Sequence, residues 1–206
     1  MTPGDGYHHG DLPRALKDAT AELVAERGPA GFSLREVARR AGVSHAAPSH
    51  HFGDATGLLT AVAVEGFQAL AAALAQARTA NPDPLECLAA QGRAYVELSI
   101  SHPGHCAVLS RSDLVDSHSP EYAEAGDCAY GELEQTVRDI ADLHNPELDV
   151  SLASRLCWSA MQGLVELYDT MRLKAQLHDE PAIPDIAEVA DRFSRLLAKG
   201  FINRTG

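Results

Sequence analysis

Residues 33–54 read SLREVARRAGVSHAAPSHHFGD, two short helical patterns separated by Ala41-Gly42-Val43. Ser33 is suited to cap the first, and Glu36, three residues on, to complete a capping box. Phe32 and Val37 fall at the flanking positions of a hydrophobic staple. Gly42 suits the left-handed conformation that ends a helix, and Ser44 can cap the next one at once. Two short helices joined by a turn of about three residues cross steeply, which is the helix-turn-helix arrangement. A tight helical hairpin with no nucleic-acid partner shares this geometry and stays open as an alternative. Val37, Ala38, Ala41, Val43 and Phe52 form the inner side, leaving Arg35, Arg39, Arg40, Ser44, His45, Ser49 and His50 outward. Pro48 costs one backbone hydrogen bond, tolerable near the first turn of so short a helix. Ala46 and Ala47 are small enough to let the backbone approach base edges and thymine methyls.

Outward from this stretch almost every segment reads as helix. Leu12, Leu16, Ala19 and Leu23 recur at helical spacing before Arg27-Gly28-Pro29 stops the pattern. A long Ala- and Leu-rich pattern covers about 54–79. Asp83-Pro84-Leu85-Glu86 then supplies an N-cap, a proline at the first helical position and a capping-box acid. Further helices are predicted near 105–111, 119–143, 148–176 and 184–201. No alternating strand pattern, internal repeat or low-complexity tract occurs. The predicted fold is all-α: an N-terminal three-helix domain, residues 1–53, and a larger helical bundle, residues 54–206.

Composition agrees with a soluble globular chain, with 45% hydrophobic and 22% charged residues. No run of eighteen or so apolar residues occurs, and MTPGDGYHHGD lacks the regions of a signal peptide, so a cytoplasmic protein without a membrane partner is expected. The formal charge of −12 is uneven: residues 1–52 hold six Lys/Arg against six Asp/Glu and five of the ten histidines, so the whole deficit lies beyond them. Nonspecific coating of nucleic acid is excluded, whereas local docking of the neutral first quarter on phosphate is not. Cys87, Cys106, Cys128 and Cys157 stand twenty to thirty residues apart with no CxxC or CxxxC spacing, which argues against a zinc ribbon or redox dithiol and suggests buried free thiols.

HHGDL at 8–12, a helix ending in AERG, and SLREVARRAGVSHAAPSHHF followed by GLL resemble, in unbroken order over residues 7–65, the DNA-binding domain of the TetR family of bacterial transcriptional regulators. The resemblance implies that residues 44–50 form the recognition helix, so that Ser44, His45, Ala46, Ala47, Ser49 and His50 face DNA. It also implies that Ser33 faces phosphate from a helix N-terminus, with Arg35 beside it, and that His8 and His9 lie near an arm before the first helix. Two positions depart from the family pattern. Ser49 stands where an aromatic residue is usual, and Asp54-Ala55-Thr56 lacks the usual lysine. Both remove expected phosphate contacts. An effector-binding or interaction protein on the same fold, with weakened or lost DNA binding, is therefore the alternative to a ligand-released homodimeric repressor on a pseudo-palindromic operator.

Residues 157–167, CWSAMQGLVEL, resemble the signature of a TetR C-terminal class named for Trp-His-Gly, with Gln162 in place of His; the segment around His102-Pro103-Gly104 looks like that class as well. This implies an effector-binding and dimerisation domain. The last two helices carry more than one apolar face, and a two-fold four-helix interface supplies the second partner. Leu156, Leu164, Tyr168, Val189, Phe193 and Leu197 are the candidate interface residues. Candidate pocket residues are Tyr95, His102, Cys106, Leu109, Tyr130, Trp158, Met161 and Gln162, each of which also suits core packing. His102, His105 and Cys106 place soft ligands within one turn, but Pro103-Gly104 intervenes and no fourth ligand completes a set. No metal, cofactor or catalytic residue is expected: no Gly-rich phosphate loop occurs, and nothing marks a cysteine as activated.

Overall fold

The computed structural model describes residues 12–178 and 185–202, in which nine α-helices and no strand are found. They are α1 (Leu12–Arg27), α2 (Leu34–Arg40), α3 (Ala47–Phe52), α4 (Ala55–Ala80), α5 (Pro84–Ser101), α6 (Pro103–Leu109), α7 (Pro120–His144), α8 (Val150–His178) and α9 (Ile186–Phe201). Short polar side chains start most of them by accepting a backbone N–H of the first turn. Ser33 does so for Glu36, Asp54 for Gly57, Asp83 for Leu85, Ser119 for Tyr122 and Asp185 for Ala187. Both expected capping-box acids are drawn elsewhere. Glu36 takes Arg27 at 2.8 Å, and Glu86 takes Arg195 at 2.5 and 2.7 Å, because a guanidinium offers a stronger, charge-assisted partner than a backbone amide.

The chain groups into two compact units. The first comprises the described residues up to Gly66 together with His102–Ala123; the second comprises Phe67–Ser101 and the described residues from Glu124. This division differs from a boundary at 53/54, since the start of α4 and all of α6 pack with the N-terminal helices. In the first unit Leu16, Ala19, Leu23, Val37 and Leu58 form one core cluster, with Phe32, Val43 and Phe52 against it. A second joins Ala21 and Val24 of α1, Leu59, Val62 and Ala63 of α4, and Val108 and Val115. Gly104 permits the close approach of α6 to α1: a Cβ there would stand 1.9 Å from the Ala21 carbonyl oxygen.

Three groups tie α4 to α1 and α6 at the edge of this core. Glu65 accepts hydrogen bonding from Lys17 and lies 3.7 Å from His105 Nε2. Burial alone would raise the Glu65 carboxyl, but His105 and Lys17 outweigh it and hold it below the ordinary value. By length and composition α4 could cross a membrane, yet half of its apolar window is buried within the fold.

The second unit is centred on Leu88, Leu133, Val137, Ile140, Ala153, Cys157, Ala198 and Phe201. α9 lies along α5, where Gly92 admits it: a Cβ on Gly92 would meet Ser194 Oγ at 2.1 Å. All four thiols are free. Cys87 and Cys157 are buried as expected, Cys106 is half-buried, and Cys128 is exposed, because it falls on the outer side of α7 while Ala125 and Ala129 face inward.

Candidate DNA-reading surface and effector cavity

The segment from Ser33 to Phe52 does form two short helices about a tight turn, with Gly42 at φ 69°. The second helix begins about three residues later than the sequence predicts. Its N-cap is Ala46, without a side-chain cap, and Pro48 falls in its first turn, where a missing N–H costs nothing. Ser44 serves through its carbonyl, which accepts the Ala47 N–H at 3.0 Å, and not as a side-chain cap. This later start turns Ala47 inward: it is 8% exposed, buried with Pro48, and is withdrawn from the base-reading set.

Ser44, His45, Ala46, Ser49 and His50 line the outer side of the turn and α3, and Ser33 and Arg35 lie at the start of α2. His51, which sequence reasoning did not single out, is exposed too, and its ring stacks on His50 at 5.2 Å. His8 and His9 lie outside the described residues. Of the arginines expected outward, Arg40 is spoken for: it holds Glu26 through two hydrogen bonds of 2.7 and 2.8 Å. That hydrogen bonding keeps the Glu26 carboxyl below its ordinary value. Arg39 remains exposed, 3.6 Å from Glu36. The surface is thus polar, rich in histidine and sparing of permanent charge.

The second unit holds a partly open cavity of about 20 Å³ lined by Leu74, Leu88, Gln91, Gly92, Tyr95, Leu133, Cys157, Trp158, Met161, Ser194 and Leu197. That volume is room for about one water molecule. Of the candidate pocket residues, Tyr95, Trp158 and Met161 line this cavity. The Tyr95 hydroxyl lies 2.5 Å from Gln162 Oε1, and its ring meets Trp158 edge-on at 5.8 Å. The Tyr130 ring is tilted against Trp158 at 6.0 Å and does not line the cavity. His102, Cys106 and Leu109 do not belong to this wall. They lie in the first unit, with Leu109 against the α1–α4–α6 core and the His102 ring edge-on to His105. Proline at 103 opens α6, so those residues follow α6 onto α1. Among the described residues no three His, Cys, Asp or Glu side chains group where they could hold a metal ion.

Leu74, Leu88, Gln91, Gly92, Leu133, Cys157 and Ser194 line the cavity without having been among its sequence candidates, and Gln91 is the one with a polar amide. Its one signal was a lone amide in the otherwise small and apolar run LAAQG.

On α8 and α9 the candidate interface residues divide. Leu156 and Phe193 are exposed, whereas Leu164 and Val189 are half-buried, as is Tyr168. Leu197 instead lines the cavity and packs on the core, since it shares the inward stripe of α9 with Ala190, Ser194 and Phe201. The exposed stripes also hold Leu152, Leu167 and Leu196.

A helix-turn-helix unit with an exposed polar second helix, followed by an all-helical unit, defines a helix-turn-helix transcriptional regulator. The chain belongs to the tetR family of bacterial regulatory proteins, whose model matches residues 16–62; the model of the tetracyclin repressor-like C-terminal domain matches residues 88–199. The HTH-type transcriptional regulator BetI of Burkholderia thailandensis is 43% identical over 68 residues, which cover 33% of this chain and 35% of that protein. The HTH-type transcriptional repressor Rv3405c of Mycobacterium tuberculosis is 40% identical over 52 residues, 25% of this chain and 28% of that one. The chain thus matches well under two thirds of these relatives' length.

Among solved structures, a protein of unknown function from Rhodococcus sp. RHA1 superposes with a TM-score of 0.79 and 28% identity, covering 97% of this chain and all of the other. The TetR family regulator PfmR of Thermus thermophilus shares the fold at 24% identity and TM-score 0.70, over 92% and 96% of the two chains. So does FadR of Bacillus subtilis, solved with stearoyl-CoA, at 17% identity and TM-score 0.74, over 91% and 98%. The named relatives are regulators and not enzymes.

Proposed function

We propose that the chain is a cytoplasmic homodimeric repressor that holds a pseudo-palindromic operator and is released when a small molecule occupies its second unit. One observation carries the reading. Ser44 and His45 in the turn, with Ser49 and His50 on α3, are exposed, while Ala47 and Pro48 on the other side of α3 are buried. A short helix anchored on one side and polar on the other suits the major groove, while Ser33 and Arg35 on α2 suit phosphate. His8 and His9, outside the described residues, enter the proposal only through what the family resemblance implies.

The dimer rests on two uncovered apolar stripes. Leu152, Leu156 and Leu167 on α8, with Phe193 and Leu196 on α9, are exposed. Gly163 and Gly200 lie on the same two helices, and a Cβ at either would meet nothing within 4 Å. A second copy presenting the same face covers both stripes, and its two-fold axis matches the symmetry of the operator. For release, α4 is the element to follow: Leu58 lies in a core of the first unit and Leu74 on the cavity wall of the second. A ligand that displaces Leu74 acts on a helix that also anchors α1. The half-sites must stay about 34–36 Å apart, or a multiple of that, so a small tilt of α4 suffices.

A gel-shift titration with DNA from the chain's own upstream region tests this. Two protomers should occupy each operator, and Leu196→Asp should give a folded monomer that no longer shifts it. His45→Ala should change which operator variants bind, whereas Ser33→Ala should weaken all of them about equally. A second reading is favoured by Ser49 and Ala55, exposed where the family carries an aromatic and a cation. It makes the chain an effector-binding or interaction protein with weakened or lost DNA binding. Failure to shift any upstream fragment at low salt, in a folded dimer that still binds ligand, would select that reading.

A further inference from the structure

We propose that the cavity of the second unit takes an uncharged, mostly apolar molecule that donates a single hydrogen bond, an alcohol or a phenol, to Gln91 Oε1. This rests on the reading above that the second unit is the effector-binding one, and it adds the chemical class of the effector.

The starting observation is an orphaned acceptor. Gln91 is 2% exposed, and its amide nitrogen donates to the backbone carbonyls of Leu74, at 3.3 Å, and Glu132, at 3.2 Å. Two carbonyl partners fix which end of the amide is nitrogen, because an oxygen there would face two acceptors. Oε1 is therefore held in place, buried, with no hydrogen-bond partner among the described residues, on a side chain that lines the cavity. A buried carbonyl oxygen of this kind is a standing demand for a donor.

The rest of the wall says what the donor is attached to. Leu74, Leu88, Leu133, Trp158 and Met161 present hydrocarbon, ring and thioether, and no Lys, Arg, His, Asp or Glu lines the cavity. Two arginines of α5 and α9 are already neutralised: Arg93 by Asp191, and Arg195 by Glu86 and Asp191. A carboxylate or phosphate placed in the cavity would be desolvated with no counter-charge, and it would set a second acceptor against Oε1. A hydroxyl meets the demand without either penalty.

Room is the remaining requirement. The cavity has room for about one water, so a larger molecule must displace something. Met161 is suited to move, being unbranched, with its sulfur 4.0 Å from Ser194 Oγ. Gly92 offers no spare room on the α5 side, since Ser194 Oγ already fills the place of its missing Cβ, so the movement falls to Met161.

The chain's single tryptophan, Trp158, lines the cavity and reports occupancy by its fluorescence. The full-length protein is titrated at about pH 8 with three probes of similar length: nonan-1-ol, 1-methoxyoctane and nonanoate. The alcohol should bind at least about tenfold more tightly than the ether or the acid, since each of those leaves Oε1 without a donor. Gln91→Leu should abolish the preference for alcohol over ether while keeping ether binding; if that variant fails to fold, the wild-type comparison decides alone. Equal binding of alcohol and ether, or tightest binding of nonanoate, would overturn the proposed class and leave the effector cavity standing. No response to any probe, in the wild type or in Met161→Ala with its enlarged cavity, would mean that the site holds water only, and the effector role of the cavity would fall with it.

Discussion

Replacing Ser49 with Tyr and Ala55 with Lys would give the proposed DNA surface two groups it lacks. Both positions are exposed, so neither replacement disturbs a core. Permanent positive charge is scarce nearby: Arg40 is bound to Glu26 and Arg39 stands close to Glu36. One additional lysine on a phosphate steepens the dependence of log affinity on log salt by about 0.9. Over a fourfold rise in salt, from about 50 to about 200 mM, that is an extra loss of about 3–4-fold relative to the parent. The tyrosine hydroxyl is neutral, so it tightens binding at every salt concentration without changing the slope.

The new lysine falls on the first residue of α4, where the helix dipole opposes a cation by about 0.3–1 kcal/mol. Asp54 keeps its bond to the Gly57 N–H, so the helix still starts in the same place. Fluorescence anisotropy of a labelled upstream duplex, read across that salt range, measures both quantities. A folded, dimeric double variant whose slope and low-salt affinity match the parent would refute the placement of these residues on the DNA backbone.

Gly104→Ala should cost about 3 kcal/mol or more, the upper end for overpacking, because its Cβ would collide with the Ala21 backbone and not with a side chain that can swing away. A thermal melt should show a drop of several degrees, and an unchanged transition would mean that α6 does not rest on α1 as described. The contact of Glu65 with His105 and Lys17 depresses its carboxyl. The stability it contributes is therefore complete above the ordinary value of 4.5 and is lost as pH falls through the lower, folded-state value. Glu65→Gln should flatten that part of the acid limb in urea titrations between about pH 3 and 7, and parallel acid limbs for parent and variant would argue against it. Burial pushes the Cys157 thiol up to about 12, leaving about one part in ten thousand as thiolate at about pH 8. Iodoacetamide should therefore label exposed Cys128 first and Cys157 only on unfolding, as mass mapping would show; early labelling of Cys157 would contradict its burial.

Much of this protein was legible before any coordinates because its signals are local. Glycines 28 and 42 take positive φ where the patterns end, and Ser33, Asp83 and Ser119 cap the helices they precede. Periodicity placed every described helix to within about three residues, and the order of motifs over residues 7–65 pointed to the family. The acids at 36 and 86 show where local rules stop: each was drawn from its capping role by an arginine outside its own helix, Arg195 being more than a hundred positions away.

Residues within a turn or two of one another suffice to specify the helices, the helix-turn-helix and the apolar stripes of α8 and α9. Tertiary packing selects which face of each helix is used. It turned Ala47 inward by starting α3 late, moved Leu197 from the interface to the cavity wall, and sent His102, Cys106 and Leu109 to the first unit with α6. It also made Gln91 a site, because an amide becomes a demand for a ligand only once two distant carbonyls have taken its nitrogen and burial has removed water from its oxygen.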